Sequence, residues 1–364
     1  MFNPARLSLA RHRAGLSKSQ LAEAARVSRP ALHRYETGAT EPAADIADRI
    51  AEVLGYPATF FYGETTDQPP RDAASFRSMS HMLAGDRDAA LAAGSLAFML
   101  SDWVETLFDL PEVDLHDLSD ERSPDHAARA LRELWGLGEK PIRNMVHLLE
   151  AKGVRVFSLV EETRSVDAFS VWRSNKPYIF LNTVKTAEHS RFDAAHELGH
   201  LVLHKHGGPG GREAENEANR FASSFLMPSA DVRARIPIAR GLNHIIAEKS
   251  RWKVSVAALN YRLRQLGITS EWENRQLCIQ IARDGYRTTE PQGIEREMSV
   301  VWEKVFGGLR NERITKHDIS AALHIPAAEI DKLVFGLTRM MSIEGGRKGA
   351  AAGSARGKLS LVSG

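Results

Sequence analysis

Cysteine is almost missing from these 364 residues: Cys278 stands alone, so no disulfide can form within the chain. That excludes a disulfide framework and suits a reducing compartment. A signal-type apolar core is missing as well, because "MFNPARLSLARHRAG" breaks every apolar stretch with Arg or His. No run approaches the ~20 apolar residues that a membrane helix needs. The longest, "AALAAGSLAFML" (Ala89 to Leu100), runs directly into Ser101 and Asp102. Net charge is close to absent too, at +2, and so bulk charge selects no partner. These absences lead us to expect a soluble, cytoplasmic protein that makes no membrane contact.

What is present begins with ordinary globular composition, 43% hydrophobic and 26% charged residues. The length exceeds what one core organises, so two to four domains are expected. Charge is unevenly placed. Between Met1 and Thr40, Arg6, Arg11, Arg13, Lys18, Arg26, Arg29 and Arg34 face only Glu23 and Glu36. A local basic excess is the footprint of a phosphate-binding surface. The same block carries helix punctuation. Ser17 with Gln20 reads as a capping box ahead of Leu21, Ala24 and Ala25. Ser28 reads as a second N-cap with Pro30 in the first turn, and Gly38 as the stop. Two short helices with a tight connection, the second rich in Arg and His, describe a helix-turn-helix. "EPAADIADRIAEVLGY" adds a helix with Ile46, Ile50, Val53 and Leu54 on its apolar side.

The stretch "GLSKSQLAEAARVSRPALHRYETGATEP" resembles the Xre-type, lambda-repressor-like DNA-binding domain over roughly residues 4–63. The resemblance implies a five-helix bundle whose third helix enters the major groove. Ser28, Arg29, Ala31, His33 and Arg34 would then face DNA, with Lys18 on phosphate and Leu32 and Tyr35 in the core. A homodimer is expected, since such heads read paired half-sites.

"GETTDQPPRDAA" reads as a linker, followed by a helical segment to "FDL" and an acidic, turn-rich insert, "PEVDLHDLSDERSPD". Two helices are expected in "HAARALRELWGLGEKPIRNMVHLLEAKG". After Gly153 the runs "VRVFSLV", "AFSVWR" and "PYIFLNT" read as short strands. The expected fold is multidomain and mainly α, with one α+β domain. Its expected limits are 1–63 for the head, 64–124 for linker and helical segment, and 125–235 for the α+β domain. A helical region, 236–343, and a disordered basic tail, 344–364, follow.

The chemistry is concentrated in "RFDAAHELGHLVLHKH", Arg191 to His206, which offers His196, Glu197, His200, His204 and His206. Ser190 is the expected cap of this helix, with Asp193 holding first-turn amides. At ~100° per residue, His196 and His200 lie about 40° apart on one face and can aim at one cation. Glu197 sits off that line, placed to hold and deprotonate a water rather than to bind metal. A catalytic zinc needs a third protein ligand. His206 has the ten-residue offset of metzincins, but Leu203 stands where that motif requires glycine. His204 is eight residues from His196, more than 10 Å at ~1.5 Å per residue, too far to share a metal. Both histidines are therefore expected to be solvated. In "REAENEANRFASSFLMP", Glu215 shares a helical face with Asn219, which can support a ligand from behind. Glu215 is preferred as third ligand, with Glu217 and Glu213 as alternatives.

"RFDAAHELGHLVLH" followed by "EANRFASSFLMP" resembles the ImmA/IrrE family of metallo-endopeptidases over roughly residues 125–235. Members of this family often carry an Xre-type domain in front. The resemblance implies that the α+β domain is a zincin-like metallopeptidase domain, with zinc ligation by His196 and His200, Glu197 as catalytic base and a Glu from "ENEAN" as third ligand. Manganese is the alternative ion. It also implies an endopeptidase that cleaves a transcriptional repressor or antitoxin-like protein, controlling stress, damage or mobile-element genes. An extended substrate is expected to pair along "PYIFLNT". The competing reading is a DNA-binding regulator whose protease-like domain only senses a metal or ligand.

Farther on, Ser255 should restart a helix in "EKSRWKVSVAALNYRLRQLGIT". "ITKHDISAALHIPAAEIDKL" echoes the head, Thr315 matching Ser17, Lys316 matching Lys18 and Ile319 matching Leu21. Ala327, Ala328, Glu329 and Asp331 replace its basic face, so packing or protein contact is expected there. Trp272, Trp302 and Cys278 are expected to fill cores. Met340 and Met341 are expected to lie at a helix end.

Overall fold

Ser17 Oγ accepts the Gln20 amide and Gln20 returns a bond to the Ser17 amide, fixing the start of the second helix of the chain. This local geometry opens the architecture of a computed structural model, which describes residues 1–70, 83–159, 168–206, 211–338 and 357–358. Contacts divide the chain into two units. One gathers residues 1–111, 157–167 and 300–364, and the other gathers 112–156 and 168–299.

In the first unit, α1 (Pro4–Arg13), α2 (Lys18–Ala24), α3 (Arg29–Thr37) and α4 (Ala44–Leu54) form the head. The fifth helical element of the head is a 3₁₀ turn, Ala58–Tyr62, rather than an α-helix. Its Phe60 and Phe61 are fully buried with Leu7, Leu21, Leu32 and Ile50. Ser28 caps α3 and Gly38 ends it in the left-handed conformation that glycine adopts freely. The long α5 (Ala84–Leu107) packs against α1 and leads to the two-residue strand β1 (Phe108–Asp109).

In the second unit, α6 (Pro124–Leu134) and α7 (Met145–Ala151) lead to β2 (Arg155–Ser158), within which the division of the chain falls. β3 (Ala168–Arg173) and β4 (Lys176–Leu181) form an antiparallel hairpin, and the sheet order is β2-β4-β3. α8 (Ala187–Leu203) lies against β3 and β4, and α9 (Arg212–Leu226) packs along α8. α10 (Ser229–Arg235), α11 (Leu242–Glu248), α12 (Val256–Gln265, capped by Ser255) and α13 (Glu271–Arg283) complete this unit. α14 (Val300–Asn311), α15 (Lys316–Leu323), α16 (Ala327–Val334) and β5 (Gly357–Lys358) return to the first, where β5 pairs with β1.

Several expectations change here. The metal-motif helix begins at Ala187, capped by the Thr186 side chain, which accepts the His189 amide. Ser190 is not the cap because its hydroxyl is donated to Asn182 O at 3.2 Å. Asp193 lies in the second turn, 3.4 Å from His189 Nε2, rather than on the first amides. β4 is the central strand, flanked on both sides, so an added strand cannot pair along "PYIFLNT". Trp302 is buried, but Trp272 is 70% exposed and packs no core. Cys278 is half-buried beside Asn260 and Asn274. The echo of the head has its own capping box at Thr315, and its Glu329 is buried against Arg13 of α1, a packing role. Met340, Met341 and the tail outside Gly357–Lys358 lie outside the described residues, as do 207–210 of the glycine-rich break.

Candidate metal centre

α8 is anchored before it presents any chemistry. Glu188 in its first turn is buried and takes Lys249 Nζ at 3.3 Å and the Ile294 amide at 2.9 Å. Arg191 is buried against Glu297, whose other oxygen accepts the Met145 amide at the start of α7 at 2.7 Å. Ala194, Leu198 and Val202 are fully buried. α9 reaches α8 at Gly199. A Cβ there would stand 3.0 Å from Phe221 Cδ1 and 3.3 Å from Ala218 Cα, so glycine permits the approach. Arg132 and Arg262 then close the far end of α9 by donating to Phe225 O at 2.5 Å and Met227 O at 2.9 Å. Guanidinium groups at a helix C-terminus satisfy carbonyls that the helix leaves unpaired.

This approach brings His196, His200 and Glu215 together, one ligand atom from each lying within 4.8 Å of the others. His196 Nε2 is 3.1 Å from His200 Nε2, 3.3 Å separates it from Glu215 Oε2, and His200 Nε2 is 3.4 Å from Glu215 Oε1. Ligands held at the usual zinc distances in a tetrahedron stand about 3.3 Å apart, and each histidine nitrogen keeps a spacing of that order from the other and from one Glu215 oxygen, Oε2 for His196 and Oε1 for His200. The chemistry of the donors agrees. Asn219 Oδ1 lies 3.2 Å from His196 Nδ1, and an amide oxygen only accepts, so Nδ1 carries the hydrogen and Nε2 keeps a lone pair facing the cluster. Glu215 Oε2 is buried and takes no hydrogen bond. Lone pairs and negative charge converging on one buried point fit a divalent cation.

The alternatives to Glu215 are elsewhere. Glu213 is exposed, and Glu217 Oε2 is 2.9 Å from His204 Nε2. His206 is 70% exposed and pairs with Asp117 at 2.8 Å. His204 is not solvated as its distance from His196 suggested: its side chain is 11% exposed and its Nδ1 lies 3.0 Å from His200 Nδ1. Glu197 is buried, and its Oε2 accepts the Ser170 hydroxyl of β3 at 2.7 Å. Sequence reasoning missed Ser170. Its only signal is a lone hydroxyl among the apolar residues that precede Arg173 in "AFSVWR".

In the head, Ser28, Arg29, His33, Arg34 and Lys18 are exposed and Ala31 is half-exposed. Ser28 Oγ is occupied in capping Ala31 N at 3.2 Å, Arg29 donates to Ser19, and Lys18 pairs with Glu36 at 3.1 Å.

In the second unit two helices meet over a His–His–Glu cluster beside a hairpin, and the first unit carries a helix-turn-helix head. Residues 149–264 match the family model of the IrrE N-terminal-like domain, a peptidase family, and residues 5–59 match that of a helix-turn-helix domain. The chain therefore joins an N-terminal helix-turn-helix domain to an IrrE N-terminal-like peptidase domain. No curated protein matches it. Among the described residues no helix is long and apolar enough to cross a membrane.

Proposed function

We propose that the chain is a metal-dependent endopeptidase joined to a DNA-binding head, and that it cleaves a repressor or antitoxin-like protein. The observation that carries this reading is the convergence of one ligand atom each from His196, His200 and Glu215 to within 4.8 Å of one another, with Glu197 next to the first of them in sequence. His196, His200 and Glu215 are the ligands, with zinc the expected ion and manganese the alternative. A bound divalent cation would supply Lewis acidity to the scissile carbonyl and to a water nucleophile. Asn219 holds the His196 ring by its Nδ1–H. Glu197 takes a proton from the attacking water and delivers it to the leaving amine. Ser170 holds Glu197 by its Oε2, which keeps the carboxylate oriented between these transfers. The substrate pairs with β3, the outer strand of the described sheet, and not with β4. Ser170 on that strand ties the pairing edge to the base.

The exposed Arg29, His33 and Arg34 of α3 support entry of that helix into the major groove, with Lys18 near phosphate, Ser28 shaping the helix start and Ala31 allowing close approach. Fusion of such a head to a peptidase favours a substrate that also acts on transcription.

The test is cleavage of proteins encoded beside this chain, followed by mass spectrometry, with zinc or manganese supplied. Glu197→Gln should retain bound zinc and lose cleavage by ~10²–10⁴-fold, the usual contribution of a positioned acid–base group. Cleavage at the wild-type rate in that variant contradicts the mechanism. Zinc-dependent DNA binding with no cleavage of any neighbour-encoded protein would favour the sensor reading instead.

A further inference from the structure

We infer that His204 and Glu217 form a hydrogen-bonded relay that fixes the ring tautomer of His200 and so aims its Nε2 at the cation site. The inference rests on the metal-centre reading above and adds two positioning residues to it. Glu217 Oε2 lies 2.9 Å from His204 Nε2, and an ionised carboxylate only accepts, so His204 Nε2 carries a hydrogen. In the relay the His204 ring carries this one hydrogen, and its lone pair lies on Nδ1. His200 Nδ1 lies 3.0 Å from that atom and must donate to it. The lone pair of His200 is thereby left on Nε2, the nitrogen that stands 3.1 Å from His196 Nε2 and 3.4 Å from Glu215 Oε1. Asn219 imposes the same tautomer on His196 through a different partner.

Both controls come from α9, which also supplies Glu215. One helix thus provides a ligand, an acceptor for one histidine and the end of a relay to the other. An outer partner that holds an imidazole in this way raises its basicity and removes the cost of choosing a tautomer at the moment of binding. The 11% exposure of the His204 side chain shelters the relay from water that would compete for its hydrogen bonds. A surface ion pair between His204 and Glu217 alone would leave His200 indifferent. The 3.0 Å link between the two Nδ1 atoms makes the difference.

The test is zinc affinity of the full chain, measured by competition with a chromophoric chelator. His204→Leu removes the acceptor and should weaken zinc binding by ~10–100-fold, as loss of outer partners does elsewhere. His204→Asn, whose Oδ1 can stand in for Nδ1, should recover most of that loss. Long-range ¹⁵N–¹H spectra of the metal-free wild type should show hydrogen on Nε2 of His204 and on Nδ1 of His200. These spectra, with the Asn variant, decide the matter should His204→Leu fail to fold. Wild-type zinc affinity in His204→Leu, or hydrogen on Nδ1 of His204, overturns the relay. His196→Ala separates the two levels. If it too leaves zinc binding unchanged, the metal centre itself is refuted; if it abolishes binding while His204→Leu does not, the relay alone falls.

Discussion

Ser170 shows how much one hydroxyl can govern at this site. Its Oγ donates to Glu197 Oε2 at 2.7 Å inside a buried setting, so removal takes one donor from a buried carboxylate. Ser170→Ala should lower kcat/KM on the protein substrate about tenfold, in line with the ~1–3 kcal/mol cost of an unsatisfied buried group. Zinc content should be unchanged, because the Ser170 hydroxyl bonds to Glu197 and not to His196, His200 or Glu215. Ser170→Thr, which keeps the hydroxyl, should restore most of the activity. A steady-state comparison of the three proteins with metal analysis checks this. Unaltered kcat/KM in the alanine variant would show that Glu197 is oriented by other contacts. At this scale the sequence was informative about His196 and His200, because a four-residue spacing places both on one helical face whatever else the fold does. It was also informative about Glu215, since sharing a face with Asn219 is again a property of a single helix. His204 was misjudged. Distance from His196 excludes it from the ion, but says nothing of its contact with His200, one turn back.

Between elements, the decisive contact is that of α8 with α9 at Gly199. Phe221 and Phe225 are fully buried in this contact region, stacked with ring centroids 5.5 Å apart. Each contributes ~1.5–3 kcal/mol of burial that holds α9 against the motif helix. Gly199→Ala puts a methyl 3.3 Å from Ala218 Cα, a backbone atom that cannot rotate away, besides the Phe221 ring. α9 must then shift, carrying Glu215 and Asn219 with it. The expected result is a loss of ~1–3 kcal/mol in stability, typical of overpacking, together with weaker zinc binding. Thermal unfolding with and without zinc measures both; a variant that melts and binds like the wild type contradicts this view of the packing. Elements were legible where their signals are local. Capping at Ser17, Ser28, Ser255 and Thr315 falls at helix starts in the structure. Strand order was not legible, because "PYIFLNT" reads the same whether its neighbours lie on one side or both. The start of α8 was ambiguous for a related reason. Thr186 and Ser190 are both competent caps, and only the tertiary bond from Ser190 to Asn182 O decides between them.

For the whole molecule, chain order and spatial grouping differ. The peptidase-family match ends at residue 264, whereas its unit runs on through α13 to residue 299, where Glu290 and Glu297 meet Lys249 and Arg191. Those buried charges lie far along the chain from their partners, and such pairings leave no periodic trace in a sequence. The α14–α16 segment belongs with the head instead, through Arg13–Glu329 and the contacts of α15 and α16 with α5. Trp272 illustrates the limit of composition arguments. A large aromatic suggests a core, yet its place at the start of α13 leaves it 70% exposed. The central claim concerns the full chain and one ion. Calorimetric titration of zinc into metal-free full-length protein tests it most directly, run beside Glu215→Ala. One zinc per chain is predicted, with affinity falling more than ~100-fold in the variant, beyond the usual effect of an outer partner. Absence of stoichiometric zinc in the folded wild type, or equal affinity without the Glu215 carboxylate, would contradict the account.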